Sequence, residues 1–257
     1  MTTHRHQPIW SLPEGLVGRL IAQRYPTVAG HRQRVEPVSV MQCVHARKIL
    51  RRFASSFSAT VLECDEVARW VVRRGAAIDV ASVAQLDKAL AVGIAPLRIC
   101  VHVRGSGWSM IRRGLACGAG GYIVNTAQDV ALINIHARQP QSVLLDVSSR
   151  PGGPVLAEIV GAHRIRFVGL HSDVAGVAPE GAVSGLIAAM ARARREFGVL
   201  ATQISLGGVA EADIVDGISR HGIADVIEDA VTDGCMRNRY PRPSVTVRGV
   251  GEGLPVR

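Results

Sequence analysis

The sequence predicts a closed (β/α)8 barrel, and three observations favour that fold. The chain has 257 residues, a length at which α/β barrels commonly form a single unit. From residue 57 onward, eight short apolar runs alternate with stretches of helical pattern. The runs are almost continuously apolar, as expected of parallel strands covered on both faces. An open doubly wound sheet is the alternative, but no phosphate-binding GxGxxG follows the first run.

The predicted strands are separated by turns that contain glycine or polar residues. They are SATVLE (58–63), AAIDVA (76–81), LRICVHV (97–103), GYIVN (121–125), SVLLDV (142–147), RFVGLH (166–171), TQISLG (202–207) and ADVIED (224–229). PSVTVRGVGEG (243–253) is interpreted as one extra strand beyond the barrel. We therefore predict an N-terminal extension over 1–37, the barrel over 38–235, and a remnant strand with a loose tail over 236–257.

The segments between the strands carry helix start and stop signals. Ser82 and Gln85 have the spacing of a capping box, in which each side chain satisfies a free amide of the first turn. Thr126 and Asp129 form a weaker version of the same motif. Helix C-terminal glycines are predicted at Gly75, Gly93 and Gly198.

The charge is strongly basic, yet its distribution argues against a nucleic-acid site. The net charge is +9 and the pI is near 10.2; of 30 basic residues only Lys48 and Lys88 are lysines. The arginines are scattered, and several precede a glycine at a predicted helix end, where cations complement the helix dipole. Aromatic residues make up only 4%, too few to provide stacking platforms for bases.

The remaining bulk features predict a cytoplasmic protein. Five cysteines show no CxxC spacing and lie mostly within apolar runs, which indicates a reducing compartment. The first ten residues, MTTHRHQPIW, lack the apolar core of a signal peptide. No stretch approaches the roughly 18 apolar residues of a membrane span. We predict no membrane association.

Three segments carry a resemblance to a known family: CDEVARWVVRRGAAIDVASVAQLDKAL (64–90), RFVGLHSDVAG (166–176) and ISLGGV (204–209). They resemble the pyridoxal-phosphate-dependent decarboxylases whose N-terminal domain is a barrel of the alanine-racemase type. The diaminopimelate decarboxylases are nearest, with the ornithine and arginine decarboxylases further off. The first segment resembles a helix, strand and helix of that family. The second resembles its GLHSHIGS segment, and the third resembles its glycine-rich phosphate loop. The resemblance implies the same barrel and an ancestry in amino-acid decarboxylation.

The resemblance also implies that the lysine that binds the cofactor is replaced. In the family, a lysine at the end of the first strand forms an imine with pyridoxal phosphate. Aligning on EVARW places Thr60 at that position, and threonine cannot form an imine. As an inward-facing residue of the first strand, Thr60 is expected to fill the barrel interior. Lys48 precedes the first strand and Lys88 lies on the outer ring of helices, so neither is expected to substitute.

Other positions that the resemblance assigns to the cofactor are partly retained. They are Asp79, His171, Gly207, Gly208 and Glu228, of which Glu228 would correspond to the glutamate that contacts the pyridine nitrogen. The stacking histidine of the family corresponds to Asp173. Because Asp173 would repel a phosphate dianion, cofactor binding is expected to be poor.

Three further family residues are altered. The serine that follows the histidine segment corresponds to Gly176, the third glycine of the phosphate loop to Val209, and the arginine near the phosphate to Val231. The family's C-terminal β-domain, which carries a catalytic cysteine and completes the active site across a dimer, is expected to be missing. His171, Asp173 and a nearby carboxylate could in principle hold a divalent metal, but no metal site is predicted.

These features predict a non-catalytic relative of the diaminopimelate decarboxylases. The expected partners are another copy of the chain, an intact decarboxylase subunit or a small phosphorylated ligand. The alternative is a pyridoxal-phosphate-dependent decarboxylase or racemase-like enzyme that binds the cofactor noncovalently or acts with a partner chain. A metal-dependent lyase or hydrolase and a small pyridoxal-phosphate-handling protein are further alternatives, although proteins of the latter kind keep the lysine.

Overall fold

The computed structural model of the protein describes residues 38–103, 107–148, 153–175, 178–209 and 222–251. The chain divides after Glu36, and the second unit begins at Pro37. The predicted N-terminal extension therefore lies outside the described residues. Within the described ranges, no helix is long and apolar enough to cross a membrane.

Eight parallel strands close into a barrel in which each strand pairs with its neighbours in the chain and β8 pairs with β1. The predicted (β/α)8 barrel is confirmed. The strands are β1 (Ala54–Ser58), β2 (Ala77–Val80), β3 (Ile99–His102), β4 (Gly121–Val124), β5 (Gln141–Asp146), β6 (Ile165–Asp173), β7 (Gln203–Gly207) and β8 (Ser244–Val250).

Helices connect these strands on the outside of the barrel. Those described are α1 (Val40–Ile49), α2 (Asp65–Arg74), α3 (Val83–Ala91), α4 (Gly107–Cys117), α5 (Ala127–His136), α6 (Gly153–Gly161), α7 (Pro179–Phe197) and α8 (Ile223–Asn238), with short 3-10 turns at Ala59–Glu63 and Pro96–Arg98.

The predicted helix signals are confirmed in the structure. The Ser82 hydroxyl accepts a hydrogen bond from the Gln85 amide at 3.2 Å, while the Gln85 side chain accepts from the Ala81 amide at 2.8 Å rather than from that of Ser82. The Thr126 hydroxyl accepts from the Asp129 amide at 3.1 Å. Left-handed glycines follow α2, α3 and α7 at Gly75, Gly93 and Gly198.

The prediction of the eighth strand is wrong. Residues 224–229 belong to α8, whose buried residues recur every three or four positions and include Ile223, Ile227 and Val231. That spacing places them on one face of a helix, whereas a strand would alternate. The eighth strand is β8, the segment that was expected to lie beyond the barrel, so the barrel extends past residue 235.

The first strand also lies earlier than predicted. β1 ends at Ser58, and residues 59–63 form a 3-10 turn instead of a strand. The Ser58 hydroxyl accepts a hydrogen bond from the Thr60 amide at 3.4 Å, an N-terminal cap that starts the turn where the strand ends.

The hydrophobic core has two parts, whose residues alternate along β3, β4 and β5. The larger part lies between the sheet and the helices and includes Phe57, Ile78 and Tyr122. The smaller part fills the barrel interior with Cys100, Ile123 and Leu144. Side chains two residues apart on a strand face the same way. Polar residues two positions from this interior group, or opposite it on neighbouring strands, therefore also face inward and form the site described next.

Candidate functional site

The candidate site lies at the C-terminal mouth of the barrel, the face on which barrels of this class place their active sites. The described residues there enclose a cavity of about 110 Å³. Its lining includes Asp79, His102, His171, Asp173, Gly208 and Arg248. The structure therefore brings together Asp79, His171, Asp173, Gly207 and Gly208, all expected from the sequence.

Asp79, on β2, is the most densely contacted polar residue of the site. Its Oδ1 accepts a hydrogen bond from Arg248 Nη1 at 2.8 Å and faces His102 Nε2 at 3.4 Å. Its Oδ2 accepts from the Gly249 amide at 3.0 Å and from the Ser56 hydroxyl. Since the Asp79 side chain is only 6% exposed, these contacts replace water around a buried carboxylate.

The ion pair between Asp79 and Arg248 sets the charge of the site. Burial by itself would raise the pKa of Asp79, but the Arg248 guanidinium, together with His102 and the Ser56 hydroxyl, holds that pKa well below its usual range. Burial would lower the pKa of Arg248, and the nearby Cys100 and Asp79 raise it instead. Both groups are therefore charged at neutral pH.

A second set of hydrogen bonds connects Arg248 to β6 and β7. Arg248 Nε donates to the Ser205 hydroxyl at 2.7 Å, and that hydroxyl lies 2.9 Å from His171 Nδ1. His171 is fully buried, and its ring meets that of His102 edge-on with centroids 5.5 Å apart. The polar side chains of six strands thus form one connected network across the barrel.

The glycine-rich turn after β7 faces a carboxylate. Gly208 has a φ of +63°, in the left-handed region, and a Cβ at this position would overlap Asp173 Oδ1. The Asp173 carboxylate also accepts from the Ala175 amide at 3.1 Å. The negative charge of Asp173 therefore lies against the turn that the resemblance assigned to phosphate.

Thr60 does not fill the barrel interior, contrary to expectation. It lies in the 3-10 turn beyond β1 and is exposed, because the strand has already ended at Ser58. Its hydroxyl donates to the Ser58 hydroxyl at 3.0 Å, and Ser58 in turn lines the mouth cavity. Thr60 is thus connected to the site by its hydrogen bond to Ser58.

Glu228 is not part of the mouth, and its predicted place at a strand end is wrong. It lies on α8, where its Oε1 accepts a hydrogen bond from Arg242 Nη2 at 2.5 Å. Near the C-terminal end of the observed eighth strand, Arg248 faces inward and bonds Asp79. A positive side chain therefore lies at the strand end where a glutamate was expected.

Sequence reasoning missed four members of the network, which are Ser56, His102, Ser205 and Arg248. His102 and Ser205 lie inside correctly predicted strands, where the alternation of inward and outward residues would have placed them with Asp79. Arg248 was missed because its strand was assigned outside the barrel. An arginine within an otherwise apolar run, VTVRGV, was the available signal.

Comparison with known proteins identifies related sequences. The family model described as "Pyridoxal-dependent decarboxylase, pyridoxal binding domain" matches residues 39–152. Diaminopimelate decarboxylase of Actinosynnema pretiosum subsp. auranticum is 27% identical over 225 residues, covering 74% of this chain and 50% of that protein. The Mycobacterium tuberculosis diaminopimelate decarboxylase is 29% identical over 146 residues, 46% of this chain and 33% of that protein.

Solved structures share the fold. Arginine decarboxylase of Paramecium bursaria Chlorella virus, bound to agmatine, superposes with a TM-score of 0.67 at 13% identity, covering 81% of this chain and 61% of that chain. Diaminopimelate decarboxylase of M. jannaschii gives a TM-score of 0.64 at 12% identity, covering 81% and 57%. The match covers about half the length of the Actinosynnema pretiosum diaminopimelate decarboxylase.

The residues at the mouth do not fit pyridoxal phosphate bound as an imine. Lys48 and Lys88, the only lysines of the sequence, lie exposed on the outer helices α1 and α3. The Asp173 carboxylate faces the glycine turn, and a phosphate dianion there would meet like charge.

Proposed function

We propose that this chain, whose barrel is that of the pyridoxal-dependent decarboxylases, is a non-catalytic member of that group which acts by binding an intact decarboxylase subunit. The observation that carries the proposal is the position of its two lysines, both of which lie on the outer helices. Without an amine at the mouth, the chain has no side chain able to hold the cofactor as an imine.

The charges at the mouth support the same conclusion. Asp79 and Arg248 neutralise each other in the barrel interior, and the Asp173 carboxylate lies against the glycine turn. A substrate carboxylate or a cofactor phosphate would have to displace these contacts. These contacts therefore oppose the binding of an anionic substrate or cofactor group at the mouth.

A protein partner is favoured over a small phosphorylated ligand for an electrostatic reason. The side of the glycine turn that Asp173 faces carries negative charge, which opposes a phosphate group there. The resemblance implies a family in which two chains jointly complete the active site. A barrel that keeps the fold and lacks the amine is suited to pair with an active chain and alter its activity.

The cofactor half of the proposal is tested by titrating the purified chain with pyridoxal phosphate, followed by borohydride reduction and peptide mass analysis. We expect no adduct at the mouth, and any surface adduct to disappear in the control Lys48→Arg/Lys88→Arg. One equivalent of cofactor bound by this lysine-free control, together with CO2 release from diaminopimelate, ornithine, arginine or lysine, would support the noncovalent enzyme instead.

The partner half is tested by coexpression with an intact diaminopimelate decarboxylase. We expect light scattering to show a complex of defined mass. We also expect the decarboxylase to release CO2 at a changed rate when this chain is present at a saturating concentration. Separate elution of the two proteins at micromolar concentration, with an unchanged rate, would overturn this half while leaving the cofactor result in place.

A further inference from the structure

Three side chains inside the barrel, two of them members of the network already described, have the composition of a metal site. Asp79, Cys100 and His102 occupy inward-facing positions on β2 and β3, and Asp79 and Cys100 are direct register partners. Their three donor atoms lie within 4.8 Å of one another. We propose that these three residues bind a divalent metal ion of the zinc type.

The spacing of the donors favours coordination over a simple hydrogen bond. His102 Nε2 and Asp79 Oδ1 are 3.4 Å apart, longer than the usual N–H···O distance of about 2.9 Å. Tetrahedral zinc with bonds of about 2.0–2.3 Å keeps neighbouring donors about 3.3–3.6 Å apart. The His102–Asp79 pair already has this separation, and Cys100 needs a side-chain movement on the order of 1 Å.

The donor types select the metal. A thiolate, an imidazole and a carboxylate together match the ligands of zinc, whereas magnesium and calcium prefer oxygen alone. On binding, the Cys100 thiol releases its proton to solvent and the sulfur coordinates as thiolate. The two negative ligands then offset the charge of the ion, and because Arg248 keeps its own positive charge beside Asp79, the occupied site has a net charge of +1. Asp79 and Cys100 lie in a buried part of the barrel.

The surroundings supply the outer contacts that such a site needs. Ser56 and the Gly249 amide hydrogen-bond Asp79 Oδ2 and fix the direction of the carboxylate. Among the described residues, Arg248 also faces the site, with Nη1 at 2.8 Å from Asp79 Oδ1, and its charge opposes that of a bound cation. Its second anchor, the bond from Nε to the Ser205 hydroxyl, holds it beside the carboxylate when the ion binds.

The three donors lie between two cavities, which give an ion access. Asp79 and His102 line the mouth cavity, while Cys100 lines a second cavity of about 240 Å³ at the N-terminal end of the barrel. A fourth ligand can therefore come from the mouth side as water. Three protein ligands with one open position is a common arrangement of zinc.

The test uses the full chain, loaded with Co²⁺ or Zn²⁺ and then desalted. We expect about one equivalent of retained metal and, with Co²⁺, a thiolate-to-cobalt charge-transfer band in the near ultraviolet. Cys100→Ser and His102→Gln should each weaken Zn²⁺ binding at least about 100-fold in competition with a chromophoric chelator. The matched control is Cys117→Ser, which changes a half-buried thiol on α4 and should leave binding unchanged.

The charge-transfer band separates this site from metal held by histidines such as His4 and His6, which give no thiolate signal. If Cys100→Ser fails to fold by circular dichroism, Cys100→Ala provides the same test. Wild-type protein that retains no metal after desalting would overturn the proposal. So would a charge-transfer band that persists in the Cys100 variants.

Discussion

Asp79 on β2 and Arg248 on β8 form a buried ion pair, 2.8 Å between Oδ1 and Nη1, across the intervening strand β1. The side chains are 6% and 10% exposed, so water does not screen the charges. The pair joins the first and last parts of the barrel and places a cation at its mouth. It is central to both the stability of the fold and the chemistry of the site.

Removing one partner of this ion pair should lower the free energy of unfolding more than replacing both partners together. We expect Asp79→Asn or Arg248→Met alone to lower the free energy of unfolding by about 3–5 kcal/mol, because each leaves a buried charge without its partner. The double variant Asp79→Asn/Arg248→Met should lose less than either single variant. Urea unfolding followed by circular dichroism measures all three, and additive losses would contradict the pairing.

The stability of the barrel should depend on the ionisation of Asp79. Its pKa in the folded chain lies below the value of about 3.9 in an unfolded chain, so ionised Asp79 stabilises the fold above that pH. This contribution is lost as the pH falls from about 4 towards the folded pKa. In chelator-treated protein, the free energy of unfolding should therefore fall more steeply below about pH 4 in the wild type than in Asp79→Asn. Equal slopes would contradict this assignment.

Removing the negative charge of Asp173 should make the mouth more receptive to phosphate. Asp173→Asn keeps an oxygen that can accept from the Ala175 amide but removes the charge beside Gly208. We expect about tenfold tighter binding of pyridoxal phosphate by calorimetry, since one unit charge at about 4 Å contributes about 1 kcal/mol even in water. Asp87→Asn, on the outer helix α3, is the matched control. Equal affinities of the two variants would show that Asp173 does not limit phosphate binding.

Gly169 should be irreplaceable for a steric reason. A Cβ at this position would overlap the backbone carbonyl of Gln203 on the neighbouring strand, and backbone cannot move aside cheaply. We expect Gly169→Ala to lower the free energy of unfolding by about 2–4 kcal/mol. The control Gly185→Ala lies on an exposed part of α7 with open space around it and should be neutral or stabilising by up to about 1 kcal/mol. Similar stabilities of both variants would refute the steric explanation.

The order of elements along the chain could largely be predicted from the sequence, because it depends on local patterns. Apolar runs for β2 to β7 and the capping residues Ser82 and Thr126 were confirmed. The error at residues 224–229 arose because a short apolar run fits either a strand or a helix. Only packing distinguishes the two, and α8 packs on α7 while β8 completes the ladder.

The sequence alone determined the fold class, through strand periodicity, and limited the candidate amines to two lysines, both predicted on helices. The structure confirmed that both lie on the outer helices. Tertiary structure decided which polar side chains meet. Arg248 is 169 residues from Asp79 in the sequence. Because β8 is the eighth strand of the barrel, Arg248 and not Glu228 lies near the end of that strand. Closing the barrel brings strands that are far apart in the sequence within hydrogen-bonding distance. Such contacts cannot be predicted from local residue patterns.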